Sequence, residues 1–486
     1  MATIKKQGGK YAKLLVQYGA KVNVSNSDGE TPLILAVDYY SNLIDVSLVQ
    51  YLISEGADVN AITKKGNTAL SIAAYNGLPL ILRILLENGA EISRVIETMR
   101  RIAGHYGVDD ESFFVLSNGI MATAKGFART KFIPIKGASL DKVVAVNQLS
   151  REVTEGKCDL EQLEQRLKKI RAMRHKPVWE QVAASAFGSA AFCIIFGGGF
   201  ADCLVAFIAG LVLWCYLLYV GSRHLSRIAS NITGGLLATV ICGVMYKLGL
   251  GTHLSNMIIG AIIPLIPGVP FTNGIRDIAN EDYIAGLTRL LDALLVFFCI
   301  AMGVALAFLL DATITGKMQP MEDLAAAPET AGMFVQLVAA FIGTLAFAVL
   351  FGVPRKCYID SGLCGMVGWL LYLILVRYTE MSVPFVVFFA TAQVAFTALL
   401  LSILRKCPVT VFLICGIFPL VPGAGIFWTS YNIVSNQYSA AVGTGFVALK
   451  VTVAIAFGIL AVMEINGKNR IGRGLMRGKK KSEKRK

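Results

Sequence analysis

Charge and histidine are scarce in this chain. Asp, Glu, Lys and Arg make up 16% of 486 residues, and the four histidines, His105, His175, His224 and His253, show no metal-ligand spacing. The ten cysteines form no Cys-x-x-Cys pair and mostly fall in apolar runs, where they serve as small hydrophobic residues. Neither zinc nor a disulfide framework is expected. No Gly-x-Ser-x-Gly elbow accompanies His105, Ser112 or Ser117, so a hydrolase signature is missing. No enzyme activity, cofactor or metal is expected. The net charge of +14 does not point to nucleic acid, because ten positive charges lie in the tail from Asn466 to Lys486 and others flank apolar runs. Anionic lipid is the simpler partner, and the tail is expected to be a disordered segment drawn to the inner leaflet or a topology signal only.

Apolar sequence is what the chain has in abundance. It is 55% hydrophobic with a mean hydropathy of +0.61, more than a soluble core needs. Runs of roughly 20 residues, the length of a spanning helix, fall near 180–199, 201–221, 231–250, 254–275, 284–310, 329–352, 361–376, 384–404, 409–432 and 439–464. The reading is an α-helical polytopic membrane protein with about ten transmembrane helices. A charged amphipathic segment precedes the first run, which is therefore no cleavable signal peptide. Orientation follows from Lys and Arg in short loops. Arg166 to Lys176 and the basic tail place both termini in the cytoplasm, and Arg223, Arg227, Arg276, Arg355, Lys356, Arg405 and Lys406 fall inside against Lys247, Lys317 and Arg377 outside.

Two of these runs are interrupted alike. Pro264-Leu265-Ile266-Pro267-Gly268 recurs as Pro419-Leu420-Val421-Pro422-Gly423. Proline removes an amide and clashes with the preceding turn. Broken backbone at membrane depth survives where it lines a cavity, and paired breaks mark the midplane site of secondary carriers. A shift of 155 residues places Pro264 on Pro419, Gly268 on Gly423, Ala301 on Ala456 and Gly303 on Gly458. With five spans per half, the second copy runs opposite to the first, so a 5+5 inverted repeat is expected.

The N-terminal part has a different pattern. Asp28-Gly29-Glu30-Thr31-Pro32-Leu33 and Lys65-Gly66-Asn67-Thr68-Ala69-Leu70 are ankyrin repeat openings, 37 residues apart from Gly29 to Gly66, with the excess near Tyr39 to Ile44. Leu14 to Asn23 matches only a repeat's end, so the array is short and truncated. Leu85 to Ile92 reads both as an ankyrin ending and as the start of the next domain. Helices are then expected over 94–106, 140–154 and 160–174, and strands over 112–123 and 131–135. The resulting domains are 1–92 ankyrin repeats, 83–176 a cytoplasmic α/β unit, 177–310 and 328–465 the membrane halves, and 466–486 the basic tail.

Asn88 to Ala103, the first proline motif with Arg276-Asp277, Val353-Pro354-Arg355 to Leu370, and Pro419 to Gly425 together resemble the threonine/serine exporter family over roughly residues 83–465. Both the N-terminal and the C-terminal membrane domains of that family are represented in one chain; the ankyrin segment departs from its usual layout. The resemblance implies a multi-pass plasma-membrane carrier exporting threonine, serine or similar small hydroxy amino acids, energised by the proton motive force. A small dicarboxylate such as succinate is the alternative substrate. An ankyrin-bearing membrane scaffold without transport is the alternative of another class.

The residues themselves suggest where solute and protons bind. Half-helices beginning after Pro267-Gly268 and Pro422-Gly423 offer amides to a carboxylate, and carbonyls freed by Pro264 and Pro419 face an ammonium. Thr272 and Asn273 lie within reach of a substrate hydroxyl. The competing reading is that these groups merely recap a kinked helix. Intramembrane charge usually marks function. Asp292 in the fifth span is a candidate proton carrier, with Lys450 in the tenth as its counter-charge or an anion partner. A structural ion pair or a snorkelling lysine is the alternative. Asp277 and Arg276 are expected at the inner mouth. A cytosolic protein on the ankyrin segment and a homo-oligomer are both compatible with the chain.

Overall fold

The computed structural model describes residues 9–37, 46–69, 72, 84–88, 90, 92–105, 112–116, 119–124, 127–132, 139–173, 175–221, 224–315 and 331–483. The chain divides into two compact units, Met1–Gly137 with Lys142–Arg174, and Ala138–Asp141 with His175–Lys486.

In the first unit, short helices α1 (Gly9–Gln17), α2 (Pro32–Val37) and α3 (Val46–Ser54) alternate with tight turns. Gly29 and Gly66 occupy the turns at positive φ, where a side chain would be strained. Asn26 Oδ1 accepts from the amides of Asp28 and Glu30, and the Lys64 amide donates 2.9 Å to the Asp28 carbonyl, stacking one turn on the next. Asn23 ties the turn before α2 to the turn after α3, accepting from the Asp58 amide and donating to the Gly56 carbonyl. Leu33, Ile34, Leu48, Leu52 and Ile72 form the core these ties enclose. The expected insertion at 39–44 lies outside the described residues.

The α/β part has α4 (Ile92–His105), a meander of β1 (Ser112–Leu116), β2 (Gly119–Ala124) and β3 (Phe127–Phe132), then α5 (Leu140–Thr154) and α6 (Leu160–Ala172). The expected long strand over 112–123 is a hairpin, with Phe114 opposite Met121, and the third strand starts at Phe127 rather than Lys131. A single strand of that length would leave one edge unpaired; folding back satisfies it. Asp159 caps α6 by accepting from the Gln162 amide, and Arg166 pairs with Glu152 across the α5–α6 turn. That guanidinium holds the Glu152 carboxyl below the usual glutamate range.

The second unit is a helical bundle. Its elements are α7 (Val178–Ile195), α8 (Phe200–Tyr216, ending in a π turn), α9 (Arg227–Lys247), α10 (Leu254–Ile262), α11 (Gly268–Ala279), α12 (Tyr283–Thr315), α13 (Met333–Leu350), α14 (Tyr358–Tyr378), α15 (Val383–Arg405), α16 (Val409–Ile417), α17 (Gly423–Val434) and α18 (Tyr438–Glu483). Among the described residues eight helices are long and apolar enough to cross a bilayer, and the pairs α10–α11 and α16–α17 bend by 67° and 51°. The short run expected over 361–376 is a full span, Arg355–Tyr378. The tail continues α18 as helix to Glu483 instead of the disordered segment expected. No proline interrupts it, and extending a helix already nucleated costs little.

Whether the first bent pair crosses or re-enters is decided by two ion pairs. Asp292 of α12 accepts from Arg227 Nη1 at 3.1 and 2.8 Å, near the start of α9, while Asp311 pairs with Lys247 at the end of α9. Helices α9 and α12 therefore run parallel. The chain leaving α9 at one face and entering α12 at the opposite one must cross between them, so α10–α11 is one broken span. The ion pairs lie about 30 Å apart along these helices, the thickness of a hydrocarbon core.

The two halves pack the same way. In the first, α7 meets α8, α8 and α9 meet α10, α9 meets α12, and α11 meets α12; in the second, α13 meets α14, α14 and α15 meet α16, α15 meets α18, and α17 meets α18. Contacts between halves are reciprocal: α12 on α17 mirrors α11 on α18, α10 on α17 mirrors α11 on α16, and α7 meets its counterpart α13. Small residues set the approach, as Gly303 rests on the Ile232 carbonyl and Gly458 on that of Phe388.

Candidate functional site

Both breaks have one geometry. A 3₁₀ turn, Ile263–Leu265 or Phe418–Leu420, ends in an extended residue, Ile266 (ψ 127°) or Val421 (ψ 131°). The following proline closes an inverse γ-turn: the Gly268 amide donates 2.8 Å to the Ile266 carbonyl, and Gly423 donates 2.7 Å to Val421. The first amide of each half-helix is thus used locally. The Ile263 carbonyl is likewise taken up, by the Ile266 amide at 3.0 Å. Beyond the glycines the breaks differ. Pro270 deletes an amide from the first turn of α11, whereas the first turn of α17 keeps the amides of Ala424 and Gly425, which have no intrahelical acceptor.

The breaks face one another across the interface of the halves. A Cβ on Gly268 would strike the Phe418 ring, and one on Gly423 would meet the Ile266 and Ile263 side chains. Phe418 is the counterpart of Ile263 at the shift of 155 residues, so the contact is reciprocal in position but unequal in size. Phe418 stacks on Phe347 with centroids 3.7 Å apart and packs edge-on against Phe192 and Phe351 at 5.7 and 5.8 Å. This aromatic plug fills the space beside Gly268. Beside Gly423, Ile262, Ile266, Phe297, Ile300, Ala301 and Phe427 enclose a void of about 20 Å³, room for one water. An amino acid would enter only if the plug moved.

Polar groups gather along α11. Thr272, Asn273 and Asp277 are buried at 2, 1 and 0% exposure, Arg276 is buried beside them, and Asp277 lies 3.0 Å from Arg289 of α12. Gly274 and Gly286 let these two helices touch, each Cβ position meeting the other's carbonyl. Burial raises the carboxyl of nearby Asp282 above the ordinary aspartate range, opposed by Arg289. Asp277 stands about 14 Å along the helix from Gly268.

Asp292 and Lys450 do not meet. The partner of Asp292 is Arg227, at the edge of the apolar slab, because α12 begins at Tyr283, well before that edge, and counting depth from its start overstates it. Lys450 is exposed and lies 4.8 Å over the Phe446 ring. Arg289, the plug ring Phe418 and buried Asp202 were not singled out from sequence. Asp202 accepts from the amides of Gly199, Thr252 and His253 and sits 2.9 Å from His253 Nδ1, joining two loops of one face. Only the run of glycines before it hinted at a special turn.

Comparison with known proteins adds the family. One threonine/serine exporter family model (ThrE) matches residues 80–310, a second (ThrE_2) matches 336–465, and an ankyrin repeat model matches 1–95. The chain belongs to the threonine/serine exporter family. It is 28% identical over 274 residues to "Threonine/serine exporter" of Corynebacterium glutamicum, covering 56% of this chain and 55% of that protein. It is 22% identical to "Probable threonine/serine exporter" of Mycobacterium tuberculosis, over 74% of this chain and 69% of that one. Against "Probable succinate transporter subunit YjjP" of Escherichia coli it is 24% identical, over 46% of this chain and 89% of that subunit. The chain thus spans about half of the Corynebacterium exporter's length. No solved structure matches. For an exporter family member, a multi-pass bundle with two facing helix breaks is a fitting frame.

Proposed function

We propose that this protein is a secondary exporter of threonine, serine or a similar small hydroxy amino acid in the plasma membrane, with both termini cytoplasmic, driven by the proton motive force. One observation carries the reading: two proline breaks at matching positions of the halves pack directly against each other. Rocking one half on the other would open the space between them to each face in turn. The substrate carboxylate would lie at the Ala424 and Gly425 amides, on the positive end of α17. Pro264, Pro267, Gly268, Pro419, Pro422 and Gly423 shape the pocket, and Thr272 and Asn273 receive the hydroxyl. Asp277, buried against Arg289, is the proton-coupling group in this reading. Asp292, paired with Arg227, and Lys450, exposed over Phe446, are not given that role in this reading. The ankyrin segment would dock a cytosolic protein.

Counterflow of labelled threonine, serine and succinate in proteoliposomes, with and without a pH gradient, tests the substrate. Threonine or serine should exchange and accumulate with the gradient; exchange of succinate alone would contradict the reading. Asp277→Asn, checked beside the charge-balanced Asp277→Asn/Arg289→Gln pair, should retain counterflow but lose gradient-driven accumulation. Accumulation by either variant at the wild-type level would remove Asp277 from coupling.

A further inference from the structure

A groove on the lipid-facing side of the second half has a wall that the repeat does not reproduce in the first. It encloses about 770 Å³ between α15 and α18, walled by Phe385, Phe388, Phe389, Phe446 and Phe457 with Lys450 among them. At the shift of 155 residues the α15 wall corresponds to Ser230, Thr233 and Gly234 of α9, too small to build one. Most of these rings are exposed, Phe385 at 65%, Phe446 at 57% and Phe457 at 58%, so the groove opens outward rather than toward the breaks.

Lys450 supplies the chemistry. It is the one charged residue between Val447 and Met463, and a lysine inside the apolar slab is costly. Its depth follows from the repeat. The Arg227–Asp292 pair marks the apolar boundary in the first half, and the same register places that boundary at Ser382 and Val447 in the second. Lys450 therefore lies one turn inside, close enough for its ammonium to reach the headgroup layer. The Phe446 ring lies beneath it, but no carboxylate pairs with it among the described residues, and none lines the groove. A ring face offsets part of the cost, and an anion in the headgroup layer would offset more.

We infer that this groove binds an anionic phospholipid, its acyl chain along the phenylalanine wall and its phosphate on Lys450. An amino-acid substrate fits poorly, because its own ammonium would find no acceptor there. Phosphatidylglycerol, phosphatidylcholine and chain-free glycerol phosphate should be titrated against the purified full chain, reading retained lipid by native mass spectrometry and the thermal midpoint. Phosphatidylglycerol should be retained and raise the midpoint, with Lys450→Gln binding about fivefold more weakly and Lys450→Arg restoring it. Ala454→Trp, which fills the groove and keeps the charge, should lose the lipid too. Equal phosphatidylglycerol retention by Lys450→Gln, equal shifts with phosphatidylcholine, or an equal shift with glycerol phosphate would each overturn the assignment.

Discussion

The two membrane halves share a backbone plan and differ in chemistry. In the first, the hairpin of α11 and α12 is held by the buried pair Asp277–Arg289; at the corresponding place in the second, Thr429 donates 3.1 Å to Thr444, and the residue matching Asp277 is Asn432. In the first, Pro270 removes an amide from the half-helix; in the second, Ala424 and Gly425 keep theirs in a first turn that has no intrahelical acceptor for them. Duplicated packing allows either half to take the other's pose, and in the proposed reading unlike side chains divide anion recognition and charge coupling between the halves.

The comparison can be pressed where the halves are least alike. Arg289→Gln removes the guanidinium beside a buried carboxylate and should cost about 3–5 kcal/mol in unfolding measurements. A loss no greater than that of an exposed substitution would show the pair to be solvated. Where the halves are alike, matching changes should match in effect. Gly303→Leu and Gly458→Leu each drive a side chain into a neighbouring carbonyl and should each cost about 3 kcal/mol, the top of the overpacking range. Unequal losses would mean that the spans they join are not equivalent.

Phe418→Ile gives the second half the residue of the first and removes a ring with three aromatic neighbours. At about 0.5–1.5 kcal/mol per ring pair, roughly 2 kcal/mol should be lost, and labelling of a cysteine at Ala424 should speed up as the plug loosens. Unchanged labelling would show that Phe418 does not guard the break. Thr444→Val should cost least, about 0.6 kcal/mol, the average for an interhelical hydrogen bond in a membrane.

Local features were readable from the sequence, long-range ones much less so. Proline breaks, twenty-residue runs and ankyrin turns are written in neighbouring residues, and the spacing of 155 revealed the repeat before any contact was known. Ion pairs depend on partners far away in the chain. Arg227 lies 65 positions before Asp292, so the depth of that carboxylate could be judged only once α9 and α12 were side by side. The plug was hidden likewise: Phe192, Phe347 and Phe418 are ordinary apolar residues until three helices converge. The γ-turns were concealed in proline geometry, which the sequence suggests but does not orient.

The most direct test is labelled-threonine counterflow in proteoliposomes carrying Gly268→Leu or Gly423→Leu, with folding confirmed for each. A pocket shared by both breaks predicts that either substitution alone abolishes exchange, because each side chain would occupy the space between the halves. Wild-type exchange in one of the two variants would contradict it.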